Sequence, residues 1–335
     1  MHREEANRGK VTAQDIARRL GVSQSTVSRV LSGAEGYSYT AETRQRIIDE
    51  AARMGYRPHA VARSLRERRT RVIGFCSANG NLDARNAFLA EIIGSLQSAC
   101  CHEGLFLLLH NFAPNTSAQD MYAELTSGRI DALVVHMSPA HPLIQKLRRS
   151  QLPVVAIADV VPGVPSVVCD DRDGMRRVVA HLADERSHRR IAFLTPTEPL
   201  GSACAREEAF VREMESRGLE PIVLRVHYEH SEPSLEWIRS MADPPTAVCC
   251  WNDLTALNLM FACRHAGVRV PGDLAVVGFD GLLDPRITPL CLSTVMAHWP
   301  EVSRVALGTL QARMAGTDVP DITTMPIQFR VGETT

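Results

Sequence analysis

No stretch of this 335-residue sequence approaches 18 uninterrupted apolar positions, so no segment is expected to span a membrane. The first ten residues, MHREEANRGK, carry no apolar signal region, which argues against export and for a cytoplasmic location. None of the nine cysteines shows the Cys-x-x-Cys spacing of zinc and redox motifs. Most sit in apolar runs such as Ala247-Val248-Cys249-Cys250, as buried free thiols do in a reducing compartment. Gly-x-Gly-x-x-Gly, P-loop and Gly-x-Ser-x-Gly elements are missing from every strand-to-helix junction, and the twelve histidines assemble neither a zinc nor a triad spacing. Catalysis, a metal and a cofactor are therefore not expected. Asp120 and the adjacent Asp170-Asp171 read as helix caps or surface charge.

The formal net charge of -1 hides an asymmetry. Residues 1 to 70 hold 14 Arg/Lys against 8 Asp/Glu, and the remaining chain holds 23 against 30. Basic surface is thus concentrated at the N-terminus, where the phosphates of a nucleic acid would be met. The length calls for a small domain followed by one large or bilobal one.

The small domain reads as three helices. Thr12 stands at an N-cap with Asp15 three positions on, and Ile16, Ala17 and Leu20 mark one apolar face. Gly21-Val22-Ser23 then makes a tight turn, with Ser23 capping a second helix over Gln24 to Leu31. A third runs from Ala41 to Met54, capped by Thr40 and closed by Gly55. Two short helices across a three-residue turn suggest a helix-turn-helix. On the second helix Val27, Val30 and Leu31 share one side, while Gln24, Ser25, Ser28 and Arg29 share the other. Such a polar face can simply meet water. In a helix-turn-helix it meets base edges in the major groove, where Arg bonds guanine and Gln pairs with adenine. Gln24, Ser25 and Arg29 are the expected base readers, with Thr12, Ser23, Thr26 and Ser28 as further DNA contacts.

VTAQDIARRLGVSQSTVSRVLSG, then ETRQRI, then AARMGYRPHAVARSL, together covering positions 11 to 65, resemble the N-terminal signature of the LacI/GalR family of bacterial transcription regulators. The resemblance implies a hinge segment at residues 57–69 that becomes a short helix on operator DNA. It places Leu65 as the apolar wedge that two subunits insert into the minor groove, with Arg63 close to the backbone. His59 stands where the family commonly has Asn.

From Thr70 onward short apolar strands alternate with helical stretches. VIGFCS, LFLLLHN, ALVVHM and PVVAIA form one series, and SVVCD, RIAFLT, IVLRV, TAVCCWN and LAVVGFD a second. Alternation of this kind implies parallel sheets covered by helices, in two similar lobes. The fold class expected is therefore a small all-α helix-turn-helix domain plus a two-lobed α/β domain with two parallel sheets. Ligands bind such sheets at the carboxyl ends of their strands, and a cleft between lobes buries a small molecule well.

The resemblance continues more loosely into the sensor domain that this family shares with periplasmic binding proteins, through His188-Arg189-Arg190-Ile191-Ala192, Asn252-Asp253 and Gly278-Phe279-Asp280. It implies a helix-turn-helix domain at 9–56 and an effector-binding and dimerisation domain at 70–335. Lobe one would comprise about 70–169 and 297–322, and lobe two about 170–296 and 323–335. Carried over position by position, the effector contacts are Arg206, Asn252 and Asp280, with Phe88, Tyr228 and Asp253 behind them. Asn252 and Asp280 could instead cap the helices that follow, and Arg206 could equally be a surface helix residue. The chain departs from the family pattern at Ala209, Ala132 and Ser187, each in place of a glycine. It departs again at Gly281 after Asp280, at the bulky Trp251 beside Asn252, and at Asp159, an acid that arrives one position late after the PVVAIA strand.

These readings predict a repressor that binds a palindromic operator as a homodimer under control of a small polar effector. A sugar or sugar acid is favoured, with nucleobases and other small polar metabolites still open. The chain stops at Gly332-Glu333-Thr334-Thr335 after its final strand, without the tetramerisation helix of some family members, so a dimer is expected. The two-lobed domain alone would suit a solute sensor that never meets DNA, a reading that residues 11 to 65 oppose. An enzyme on an open sheet is opposed by the missing catalytic motifs.

Overall fold

The structure is a computed structural model and describes residues 11–32, 39–56, 64, 69–77, 86–113, 115–197, 200–226, 234–283 and 290–335. The chain divides into two compact units, Met1–Thr70 and Arg71–Thr335.

The first unit holds α1 (Ala13–Leu20), α2 (Gln24–Leu31) and α3 (Ala41–Arg53). Each start is fixed by a side-chain cap. Thr12 Oγ1 accepts from the Asp15 N–H while an Asp15 carboxylate oxygen accepts from the Thr12 N–H, closing a capping box. Ser23 accepts from the Thr26 N–H at 3.0 Å and Thr40 from the Thr43 N–H at 3.1 Å. Gly21, at φ 66, ends α1 in the left-handed conformation that its missing Cβ leaves free, and so sets the tight turn. Ile16, Val27 and Ile47, one from each helix, are fully buried together with Ala13, Ala17, Val30 and Ala51. Tyr56 ends the described run; of the expected hinge at 57–69 only Ser64 and Arg69 are described, and Arg63 and Leu65 lie outside the described residues.

The second unit is two six-stranded sheets. In chain order it comprises β1 (Val72–Ser77), α4 (Ala87–His102), β2 (Phe106–His110), α5 (Ala118–Leu125), β3 (Ala132–His136), α6 (Pro142–Arg148), β4 (Val154–Ile157) and β5 (Ser166–Cys169). Then come α7 (Asp171–Ala180) running into a π-helical turn at His181–Glu185, β6 (Ile191–Pro196), α8 (Gly201–Ser216), β7 (Ile222–Val226), α9 (Ser234–Ser240), β8 (Ala247–Cys250), α10 (Asp253–His265) and β9 (Ala275–Asp280). The chain closes with β10 (Ser293–Ala297), α11 (Trp299–Met314), β11 (Ile322–Met325) and β12 (Ile327–Arg330). Strand order is β11-β5-β4-β3-β1-β2 in one lobe and β12-β10-β9-β8-β6-β7 in the other. The central strands are buried on both faces, as β3, with every residue buried, illustrates.

Three findings correct the sequence reading. The run Ser166-Val167-Val168-Cys169, which the apolar pattern groups with the second series, is β5 and pairs in the first sheet, parallel to β4 and β11, inside the limit of about residue 169 that the resemblance implies for lobe one. The second sheet is mixed, because β12 runs antiparallel to β10. The return to the first lobe extends through Met325, three residues beyond the expected limit, since the whole of β11 pairs with β5. A strand's face pattern carries no record of which sheet it joins; pairing partners decide that.

The chain therefore crosses between lobes three times, after Cys169, after Ala297 and after Met325. Helix α11 follows the second crossing and packs on α4 and the first sheet. Two of the departures from the family pattern have a local account. Ser187 sits at φ 62, where a glycine would be unstrained. Gly281, at φ 74, lies against β10 so closely that a Cβ would come within 2.8 Å of the Met296 Cα, which excludes the polar residue common there. All nine cysteines are free. No helix among the described residues is long and apolar enough to cross a membrane, and none of the described His, Cys, Asp and Glu residues form a group of three placed to hold a metal ion.

Candidate functional site

Two surfaces carry the expected chemistry. On α2, Val27 and Val30 are buried in the small core, which turns Gln24 and Ser25 out to solvent and leaves Ser28 and Arg29 half-buried at the margin. Ser23 Oγ lies 2.7 Å from Ser25 Oγ and 2.8 Å from Thr26 Oγ1, so three hydroxyls cluster at the N-terminus of α2. This terminus combines unsatisfied N–H groups with the positive end of the helix dipole, a combination that favours phosphate. Thr12 presents a comparable terminus on α1, although its hydroxyl is already engaged with Asp15 at 2.7 Å.

The second surface is a cleft between the two lobes of the larger unit, lined from both of them. Its floor is built around Arg206. Helix α8 places this side chain inward, and it is only 3% exposed, which removes the surface-helix reading. Its Nε donates to Asp171 Oδ1 at 2.7 Å, its Nη1 to the Trp251 carbonyl, and its Nη2 to Asp280 Oδ1 at 3.4 Å. The guanidinium also stacks on Phe279, 3.6 Å from the ring centroid. A desolvated cation is thus held by two buried carboxylates, a carbonyl and an aromatic face, as such a charge requires.

The pair of acids responds to this enclosure. Burial pushes Asp280 up to about 8 against the pull of Arg206, with Asp253 and Asp171 adding repulsion. Burial likewise raises Asp171, although Arg206 beside it works in the other direction. The charge of Arg206, whose own pKa is raised by its two acids against the cost of burial, stays fixed. Near neutral pH the floor therefore holds one salt bridge, Arg206 with Asp171, and a mostly protonated Asp280 able both to donate and to accept.

Asp280 is fixed by its backbone as well. It ends β9 at φ 111, a conformation rare for any residue with a side chain, and its carbonyl accepts from the Trp299 indole N–H at 3.2 Å. Trp299 opens α11 immediately after the second crossing. Phe88 meets it edge-on with centroids 4.9 Å apart, and Phe88 also lies 5.1 Å from the His136 ring. Asn252 Oδ1 caps α10 by accepting from the Thr255 N–H at 2.8 Å, while the same residue lines the cleft, so its capping and site roles coexist.

Of the expected contacts, Phe88, Arg206, Asn252 and Asp280 converge on the cleft, and Tyr228 lies outside the described residues. Asp253 does not line it. Its Oδ2 accepts from the Leu282 N–H at 2.7 Å and its Oδ1 from the Thr294 hydroxyl at 2.5 Å, so it ties the segment after β9 to β10 inside the second lobe. Burial outweighs these bonds and pushes it up to about 6. Asp171 needs correction in the opposite sense: Asp170 caps α7 and Asp120 sits in the first turn of α5, but Asp171 is the buried partner of Arg206 rather than surface charge. The sequence reading also passed over His136, Trp299 and Ser202 as lining residues. His136 was findable, since it ends a fully apolar strand at its carboxyl end.

The comparisons agree with this architecture. Residues 12–59 match the model of bacterial regulatory proteins of the lacI family, and residues 179–335 that of a periplasmic binding protein-like domain. The HTH-type transcriptional repressor PurR of Photobacterium profundum is 30% identical over 317 residues, covering 90% of this chain and 92% of that protein. Catabolite control protein A of Priestia megaterium is 27% identical over 318 residues, covering 91% and 92%. The crystal structure of the lac repressor dimer bound to operator and an anti-inducer superimposes with a TM-score of 0.83 at 24% identity, covering 97% of this chain and 99% of that one. With a helix-turn-helix at the N-terminus, a two-lobed sensor behind it and relatives matched along nearly their whole length, the chain belongs to the lacI family of bacterial regulatory proteins and is a DNA-binding transcriptional repressor of that family.

Proposed function

We propose that the protein represses transcription by binding a palindromic operator as a homodimer, and that a small neutral polyhydroxylated compound, a sugar in the first instance, enters the interlobe cleft and sets the affinity for DNA. The observation that carries the effector class is the charge state of the floor. Arg206 is already neutralised by Asp171, and Asp280 stands beside it as a second acid, so an anionic ligand would find no spare positive charge. Hydroxyl groups, which both donate and accept, match a protonated Asp280, the Asn252 amide and the remaining guanidinium N–H groups. Phe88, Trp251 and Trp299 supply apolar faces for the ring of such a ligand. A sugar acid is the less favoured class on this ground.

Dimerisation is supported by an exposed apolar surface in each lobe. On edge strand β2, Phe106 is 61% and Leu109 42% exposed. On α10, the exposed Phe261 helps line a mainly apolar groove with Leu257, Met260, Val268 and Leu290, at which Arg264 lies over the Phe261 ring. Monomeric proteins seldom leave such patches uncovered. Gln24, Ser25 and Arg29 would then read each half-site, and residues 57–69, with Arg63 at the backbone and Leu65 as wedge, would fold together on the operator centre. Effector binding changes the lobe angle and so biases that folding, a coupling typically of ~1–3 kcal/mol.

Two of the three tryptophans line the cleft, so intrinsic fluorescence reports its occupancy directly. The test is selection of bound DNA from a random library, run with and without sugars, sugar acids and nucleobases, alongside fluorescence titration of the same compounds. The reading expects an enriched palindrome whose recovery one neutral sugar alters. A sugar acid or nucleobase as the only active compound would overturn the effector class, and no enriched sequence under any condition would overturn the operator.

A further inference from the structure

Asp159 arrives one position late after β4, and the structure shows what the delay does. The extra residue, Ala158, takes φ 70, a left-handed conformation costly for a residue with a Cβ, and thereby turns the Asp159 side chain out of the strand direction. Asp159 is 1% exposed. Its Oδ1 accepts from the Ser202 N–H, in the first turn of α8, at 2.8 Å, which links the first lobe to the helix that carries Arg206. Its Oδ2 lies 3.2 Å from His136 Nδ1, at the end of β3, and the angle between them leaves both of these buried atoms without a regular hydrogen bond. The rest of the His136 ring lines the cleft against Phe88.

We infer that His136 is an effector-contacting residue whose proton is held on Nδ1 by Asp159, so that Nε2 faces the cleft as an acceptor and the effector must present a hydrogen-bond donor to it. The chemistry follows from the two partners. An ionised carboxylate can only accept, and an unprotonated Nδ1 would set acceptor against acceptor in a buried site. Burial raises Asp159, but the neighbouring His136 and Ser202 groups outweigh it and bring the carboxyl below its ordinary range, in keeping with the ionised form. In a neutral imidazole a proton on Nδ1 leaves a lone pair on Nε2, as when a carboxylate orients a metal-binding histidine. The open angle of the 3.2 Å contact suits a site that tightens when a ligand engages the far edge of the ring. A hydroxyl of a neutral sugar is such a donor; a carboxylate is not. The inference rests on the effector reading above for the identity of the cleft's occupant, but the state of the ring is testable without one.

The experiment is long-range proton–nitrogen correlation NMR of the full chain labelled at histidine, with His136 assigned by its disappearance in His136→Gln. The expected spectrum at pH 7.5 shows Nδ1 protonated and Nε2 unprotonated, shifting toward the Nε2-protonated form in Asp159→Asn. An Nε2-protonated ring in the parent protein would overturn the inference, as would a ring whose tautomer is the same in both proteins. Diethyl pyrocarbonate, which attacks unprotonated imidazole nitrogen, supplies an independent arm read by mass spectrometry. Modification of His136 in the folded protein, slowed about three-fold or more by Asp159→Asn, is expected; a His136 that reacts only after unfolding would show that Nε2 does not face the cleft. If both arms give the expected result while no sugar binds, the effector class fails and the acceptor assignment stands.

Discussion

Replacing Arg206 by Met tests the central claim about the cleft floor, that one buried cation holds two buried acids in place. The substitution keeps a long apolar stem over Phe279 and removes the charge. Asp171 and Asp280 then face each other unpaired, and breaking a buried ion pair from one side costs about 3–5 kcal/mol. Loss of the guanidinium stacking, 3.6 Å from the Phe279 centroid, adds about 1 kcal/mol. A total of about 4–6 kcal/mol lowers the melting temperature of a domain of this size by ~10–20 °C. The pH dependence gives the sharper signature. Both acids already have folded-state pKa values above their ordinary one, and Arg206 is the group pulling them down. Without it the folded state binds these protons more tightly still. Stability from such groups is fully present below the ordinary carboxylate pKa and is lost as pH rises through the folded value, so the deficit of Arg206→Met should grow between pH 5.5 and pH 8.5. Urea unfolding followed by tryptophan fluorescence isolates the sensor unit, because Trp237, Trp251 and Trp299 all belong to it. Adding Asp171→Asn to Arg206→Met should recover at least half the loss at pH 8.5. A single variant that unfolds within 1 kcal/mol of the parent at both pH values would refute the argument.

Asp280→Asn removes an ionisation while keeping a donor and an acceptor; the parent should lose stability as pH rises through about 8, and urea midpoints for this variant should stay level across that range. Asp253→Ala strips acceptors from the Leu282 N–H and the Thr294 hydroxyl, so a loss of about 2–4 kcal/mol in urea unfolding is expected, with sugar titration unchanged below the unfolding range. Arg29→Ala should cost about 1–3 kcal/mol in operator affinity and leave salt-sensitive binding to unrelated DNA intact; an unchanged sequence preference in filter or fluorescence assays would remove Arg29 from the base readers. Phe261→Arg places a second positive charge beside Arg264 in the groove of α10 and should convert a dimer to a monomer by light scattering, whereas an unaltered mass would move the interface elsewhere.

The helix-turn-helix was legible because its signals are local. Thr12, Gly21, Ser23 and Thr40 act on backbone groups within four residues, so a short window of sequence contains the whole cause. Strand identity in the sensor was legible for a similar reason, through short apolar runs. What sequence could not supply was pairing. β5 falls in the first sheet because it pairs with β4 about 10 residues before it and with β11 about 150 residues after it, and β12 turns antiparallel on β10 about 30 residues before it; nothing within SVVC or IQFR records those partners. The site shows the same division. Arg206, Asn252 and Asp280 were reachable by resemblance, whereas Asp171 looked like an ordinary first-turn acid of α7, since burial by a distant helix leaves no mark on the acid itself. Asp253 erred in the other direction: adjacency to Asn252 suggested a shared role, yet successive residues at a helix start point different ways, and Asp253 points into its own lobe.

Two of the positions that escaped the sequence reading, Asp171 and Trp299, share a place in the fold that bears on how the two lobes are coupled. Asp171 follows the first crossing between lobes by two residues, and Trp299 follows the second by two. Arg206 joins Asp171 to Asp280, and Trp299 joins the Asp280 carbonyl to α11, which packs on the first lobe. Asp159 adds a link from the first lobe to the start of α8. A ligand that displaces or strengthens any bond of Asp280 therefore acts on a backbone already held at φ 111 and anchored in both lobes. Discrete side-chain contacts of this kind exchange between arrangements rather than stretch, so under the proposed function a ligand bound at the floor would act on the lobe angle instead of being absorbed locally. A Trp299→Phe variant keeps the ring and loses the indole N–H; if the lobe angle is set through the Asp280 carbonyl, effector and operator should then bind with less mutual influence, each affinity on its own moving by a smaller factor than the coupling between them.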